Sequence, residues 1–157
     1  MSNIFEKIKY ERNGVANVHQ AFSSFEIGVE AHYEFYKKII LADDLPLSRA
    51  EREVLAVETS RLNQCPYCIH HHQSALEKVI ETEKIGHSKL NVLKSLATEL
   101  TQTPWKSSCL KKTFFKVGFG EEEWLHALMI VSYFNFVNRC VHGAGVELED
   151  EFLHLCN

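Results

Sequence analysis

Apolar residues recur at helical spacing along most of the chain, and helix-ending signals cut it into segments. The first predicted helix covers residues 18–41 and carries Phe22, Phe25, Val29, Phe35, Tyr36 and Ile39. Asp43, Asp44 and Pro46 end it. A second is expected over residues 48–63, where Ser48-Arg49-Ala50-Glu51 has the form of a capping box. Pro66 suits the first position of a third helix, which runs to about residue 83 before Gly86. Ser88 can cap a fourth, with Leu90, Leu93, Leu96, Ala97 and Leu100, broken by Thr103-Pro104. A shorter fifth is expected over residues 105–116. Gly118 and Gly120 follow, and Glu121, Glu122 and Glu123 favour the N-terminus of a last helix reaching residue 142.

No strand alternation, repeat or linker interrupts this pattern. It predicts an all-α single domain over residues 1–157, with about six helices. In the last helix Leu125, Leu128, Met129, Ile130, Val131, Tyr133, Phe134, Phe136 and Val137 cover more than one face. A central core helix and a subunit interface explain that equally well.

Composition narrows the function. The 157 residues are 45% apolar and 24% charged, enough for one folded core without disulfide or metal support. A net charge of -4 with no Lys/Arg patch argues against a nucleic-acid or anionic-membrane partner. Charges from Glu6 onward leave no apolar stretch typical of a signal peptide. The longest apolar run, residues 124–137, is broken by His126, Ser132 and Asn135 and is too short to span a bilayer. The expectation is a soluble, cytoplasmic protein.

Five cysteines include the pair Cys65-Pro66-Tyr67-Cys68, with His72 four residues beyond. In a reducing compartment that spacing suggests redox chemistry or a metal. Cys65 would sit near a helix N-cap and Cys68 in its first turn, where unpaired N–H groups and the helix dipole favour thiolate. His72 lies one turn past Cys68 and leans back over it, placed to accept or return a proton. A thiolate there can attack a peroxide to give a sulfenic acid, which the second cysteine condenses to a disulfide.

The sequence resembles the AhpD-like alkylhydroperoxidase and carboxymuconolactone decarboxylase superfamily, and its peroxidase-related branch in particular. The features that carry the resemblance are Glu53, then Cys65, Cys68 and His72 at the family's spacing. Ser60, Asn63, the stretch from Tyr133 to Arg139, and Gly143 with Gly145-Val146-Glu147-Leu148 also match. The resemblance implies an all-helical fold and homo-oligomers. It implies Cys68 as the peroxide-attacking thiol, Cys65 as the resolving thiol, and Glu53 with His72 as a proton relay. It implies a small-molecule peroxide substrate and no cofactor. The implied reductant is a dithiol donor, a lipoyl protein as in AhpD or a thioredoxin-like protein. The chain departs from the family at three positions. Tyr67 replaces the His found between the cysteines of AhpD, Gln64 a usual Gly, and Glu58 a small apolar residue. Helical periodicity alone selects Glu58 rather than Glu53 as the buried carboxylate.

Other readings are weaker. Cys65 and Cys68 could form half of a zinc site with His71 or His72, but no second pair completes it, so no metal is expected. His70 and His71 read as surface or supporting residues. His19, His32, His126, His142 and His154 read as structural or solvated, Cys109, Cys140 and Cys156 as inert thiols, and Arg139 as a salt-bridge or interface residue. Two other functions remain beside the peroxidase: a carboxymuconolactone decarboxylase-like enzyme, whose chemistry needs no dithiol, and a redox-sensing or disulfide-reductase module.

Overall fold

The Ser48 capping box starts the helix around which the others gather. In a computed structural model, which describes residues 4–149, Ser48 Oγ accepts the Glu51 N–H at 3.3 Å, and Glu51 Oε2 accepts the Ser48 N–H at 2.9 Å. His154 and Cys156 lie outside the described residues.

The elements in chain order are α1 (Ile4–Arg12), the single turn α2 (Asn17–Gln20), α3 (Glu26–Tyr36), α4 (Arg49–Leu62), α5 (Pro66–Val79), α6 (His87–Gln102), α7 (Lys111–Lys116) and α8 (Glu121–Ala144). A π-helical turn, Lys37–Leu41, prolongs α3, and a 3₁₀ helix, Pro104–Leu110, leads into α7. No strand occurs among the described residues, so the all-α expectation holds.

Helix α4 is the hub, packed against α5, α6 and α8. Ten of its 14 residues are buried, including the charged Arg52 and Glu53. Arg52 donates to the carbonyls of Ile40 and Ala42, which the end of the π-turn leaves open. His126 latches the same corner: its Nε2 meets the Ile39 carbonyl at 2.8 Å, and its Nδ1 meets the Leu47 N–H at 3.3 Å.

The structure departs from the sequence pattern at several helix ends. Helix α1 lies outside the expected helices: its buried anchors are Ile4 and Ile8, packed with the partly buried Phe5 against Val29 and Tyr33. The span 18–41 is broken by turns ahead of Glu26. Gly86, not Ser88, is the N-cap of α6, and α5 ends at Val79. Residues 104–116 divide into a 3₁₀ helix and α7.

Helix α8 fits both readings of its apolar surface. Trp124, Ala127, Ile130, Val131, Phe134, Val137 and Val141 are buried in the core. Leu125, Met129 and Phe136 form a stripe on the other side, with exposures of 52%, 47% and 52%. No helix among the described residues is long and apolar enough to cross a membrane.

Candidate active site

Cys65 is the N-cap of α5, Pro66 takes the first helical position, and Cys68 follows within the first turn. Both cysteines are buried and in the thiol form. The Cys65 thiol is pulled down to about 6, chiefly by a hydrogen bond from the Cys68 side chain. Burial opposes this; the Cys68 backbone N–H, the charge of His142 and the Asn138 side chain assist.

A polar network holds Cys65 from behind. Its N–H donates to the Ser60 carbonyl at 2.9 Å. The buried Asn138 donates to Ser60 Oγ at 3.1 Å, and Asn63 Nδ2 reaches the side-chain oxygens of Asn135 and Asn138, each at 3.0 Å. The two sequence stretches that carry the resemblance thus meet behind the dithiol. The turn between α4 and α5 passes through Gln64 at φ 53°, in the left-handed region that favours glycine. Arg139 donates to the carbonyl and side-chain oxygen of Asn135 and forms no salt bridge among the described residues.

Glu53, on α4, is fully buried and holds two partners. Arg49 Nε donates to Oε1 at 2.7 Å, and His72 Nδ1 meets Oε2 at 2.7 Å. Burial raises its carboxyl, but the charge and hydrogen bond of His72, then those of Arg49, hold it below the usual range. A carboxylate only accepts, so Nδ1 of His72 donates to Glu53 and Nε2 is the nitrogen left to exchange protons. The Phe134 ring packs edge-on against the imidazole, with centroids 4.6 Å apart. Glu58, chosen by periodicity, is only partly buried. The pattern misleads because α4 is enclosed on most sides and so has no single apolar stripe.

Beside Cys68 a cavity of about 60 Å³ opens, lined also by His71, His72, Tyr67, Phe134 and His19. Cys65 does not line it. By volume it accommodates a few waters or a small ligand.

His71 is buried in this wall, so of the two places the sequence allowed it, surface or supporting, the surface one does not hold. Its Nε2 meets Glu149 Oε2 at 2.9 Å. Tyr67 Oη donates to Glu149 Oε1 at 2.9 Å, and the Asn17 N–H donates to the same oxygen at 2.9 Å. Burial is the largest single influence and raises Glu149, but the Asn17 N–H, its own backbone N–H, the charge of His71 and the Tyr67 hydroxyl together outweigh it and leave the carboxyl low. His71 is lowered by burial, which Glu149 partly offsets. The sequence gives one usable sign of this cluster: His71 lies three residues after Cys68, within one helical turn. Nothing in the polar segment around Glu149 marks it as the partner.

Residues 30–87 match the model of the carboxymuconolactone decarboxylase family, a span that includes Glu53, both cysteines and His72. The fold matches the AhpD core of an uncharacterized peroxidase-related protein from Ralstonia eutropha JMP134 with a TM-score of 0.81 at 21% identity, covering 98% of this chain and 87% of that one. The resemblance to the AhpD-like and carboxymuconolactone decarboxylase superfamily holds. An uncharacterized peroxidase-related protein from Silicibacter sp. TM1040 also shares the fold, with a TM-score of 0.81, 20% identity and coverage of 98% and 87%. Among curated proteins there is no significant sequence match.

Within this AhpD-like fold, no group of three or more His, Cys, Asp or Glu residues among those described is arranged to hold a metal ion. Cys109 is exposed and Cys140 partly buried.

Proposed function

We propose that the protein is a dithiol peroxidase that reduces hydrogen or small organic peroxides. The observation that carries this reading is Cys68 bordering a small, mainly apolar cavity beside an imidazole held by a buried carboxylate. The family match and the peroxidase-related structural neighbours support it.

Cys68 is the attacking sulfur because it borders the cavity and Cys65 does not. His72 takes the Cys68 proton and leaves that sulfur as thiolate. That thiolate attacks one peroxide oxygen, the O–O bond breaks, and Cys68 becomes a sulfenic acid as an alcohol or water departs. Cys65, already disposed to ionise, attacks the sulfenic sulfur and releases water, forming a disulfide. A protein dithiol of the lipoyl or thioredoxin type then restores both thiols. Glu53 orients His72 and stabilises its cation while protons move. The exposed Leu125, Met129 and Phe136 stripe is the surface through which copies of the chain assemble.

The test is oxidation of the reduced protein with hydrogen peroxide or tert-butyl hydroperoxide. One equivalent of peroxide should consume two thiols. A decarboxylase-like enzyme would leave the thiols unchanged in catalysis. A redox sensor would form the disulfide but would not turn over with a dithiol reductant.

A further inference from the structure

Attack on a peroxide places two opposite demands on proton transfer. The thiol must lose a proton, and the leaving oxygen must gain one. In this protein two imidazoles border the cavity, each held by a carboxylate behind it. His71 and His72 stand three and four residues after Cys68 on α5, so they lie on either side of it along the helix surface. Both are buried, and both line the cavity with Cys68. His72 is held through Nδ1 by Glu53, from within the core. His71 is held through Nε2 by Glu149, from the segment that follows α8.

We infer that the two pairs divide the work: Glu53–His72 serves the Cys68 thiol, and Glu149–His71 delivers the proton to the leaving oxygen of the peroxide. This rests on the peroxidase reading and assigns a second catalytic residue to it. The S–O bond forms from the Cys68 sulfur, and the O–O electron pair departs on the alkoxide. His71, as imidazolium, gives up its Nδ1 proton to that oxygen. His72 returns the proton taken from the thiol to solvent, and His71 regains one from solvent, so one proton enters and one leaves in each cycle. Overall the thiol and the hydroperoxide become the sulfenic acid and the alcohol, with no external oxidant beyond the peroxide.

Three features suit His71 to this step. Glu149 binds Nε2, so Nδ1 is the nitrogen that can exchange a proton with a ligand. Burial makes the His71 cation a stronger acid, and the carboxylate keeps that cation attainable. Tyr67 and the Asn17 N–H both bind Glu149 Oε1, fixing the carboxylate whose other oxygen faces His71. Glu149 is thus a positioning residue, acting through His71.

The experiment compares two peroxides on the same protein. tert-Butyl hydroperoxide expels a basic alkoxide that needs a proton, whereas peracetic acid expels acetate, which does not. Second-order rates of Cys68 oxidation are measured for wild type, His71→Asn, Glu149→Gln and Glu149→Asp. His71→Asn should slow the tert-butyl hydroperoxide reaction by about 100-fold or more while changing the peracetic acid reaction only about threefold or less. Glu149→Gln should shift the ratio of the two rates in the same direction, and Glu149→Asp should restore part of it. A partly misfolded variant loses both rates together, so the ratio still reports the chemistry. Equal losses with both peroxides, or no loss with either, would overturn the assignment and leave the cluster as a structural latch. If wild-type Cys68 reacts with neither peroxide faster than an unfolded-chain thiol, the peroxidase reading itself fails, and this assignment fails with it.

Discussion

Glu53 Oε2 and His72 Nδ1 lie 2.7 Å apart, joining α4 to α5 at a point where Glu53 is fully enclosed and His72 is buried against the cavity. A buried carboxylate is costly unless its charge is answered, and here Arg49 and His72 answer both oxygens. The pair therefore holds the helix that carries the dithiol while orienting an imidazole beside it.

Removing either member should slow Cys68 oxidation near neutral pH by about 10²-fold or more, measured by peroxide-dependent thiol loss. Groups acting as one unit are not additive, so Glu53→Gln/His72→Asn should be little worse than either single change. Glu58→Ala should leave the rate unchanged, since Glu58 sits outside the pair. Two full, multiplying effects in the double variant would show that the residues act separately.

The Cys65 thiol should titrate with a midpoint at about 6, seen by pH-dependent alkylation with mass-spectrometric localisation. Asn138→Ala should raise that midpoint by removing one thiolate donor. The folded pKa lies below the ordinary value of 9.0. The reduced dithiol's contribution to stability is thus fully present above about 9 and is lost as pH falls through about 6. A midpoint at or above the ordinary thiol value would contradict this.

Two imidazoles near the cavity should make the fold acid-sensitive. His19 is lowered from 6.5 to about 3, by burial and then by His32, and His32 is lowered to about 4 by burial. Below 6.5 the unfolded chain binds protons that the folded protein refuses until pH about 4 and about 3. Stability should therefore fall as pH drops through that window. His19→Phe should flatten part of the slope in urea titrations at several pH values. Both His19 ring nitrogens are buried without a partner, so its removal leaves no broken hydrogen bond.

Introducing charge at Met129→Lys or Phe136→Glu should shift the protein toward monomer in sedimentation, with little change in helix content. The two side chains are 47% and 52% exposed and belong to the apolar stripe of α8. Unchanged assembly in both variants would place the interface elsewhere.

The features legible in the sequence were those set by local rules. Ser48 with Glu51, and Pro66 after Cys65, fixed helix starts through one turn of backbone, and both formed as read. Helix α1 was hidden because two isoleucines make too short a pattern to recognise. In the site, Cys65, Cys68 and His72 share one helix, so their spacing already carried their geometry. Glu53 was separable from Glu58 only by resemblance, since an enclosed helix has no polar side to read. Glu149 and Asn138 enter the candidate site by tertiary contact alone and carry no local sign of it.

 

Glu149 stands 77 positions after His72, and Asn138 stands 73 positions after Cys65, so only folding brings them to α5 and its dithiol.

The central claim is that Cys68 and Cys65 act as one redox pair toward peroxide. The most direct measurement is intact-mass and peptide mass spectrometry of the reduced protein after one equivalent of hydrogen peroxide. The account predicts a product two hydrogens lighter, with the bridge between Cys65 and Cys68, and full recovery of both thiols with a dithiol reductant. It predicts that Cys65→Ser stops at the Cys68 sulfenic acid and then over-oxidises, while Cys68→Ser barely reacts. Free thiols that survive peroxide in the wild-type protein would contradict the account, and an inert Cys65→Ser beside a reactive Cys68→Ser would reverse the roles of the two sulfurs.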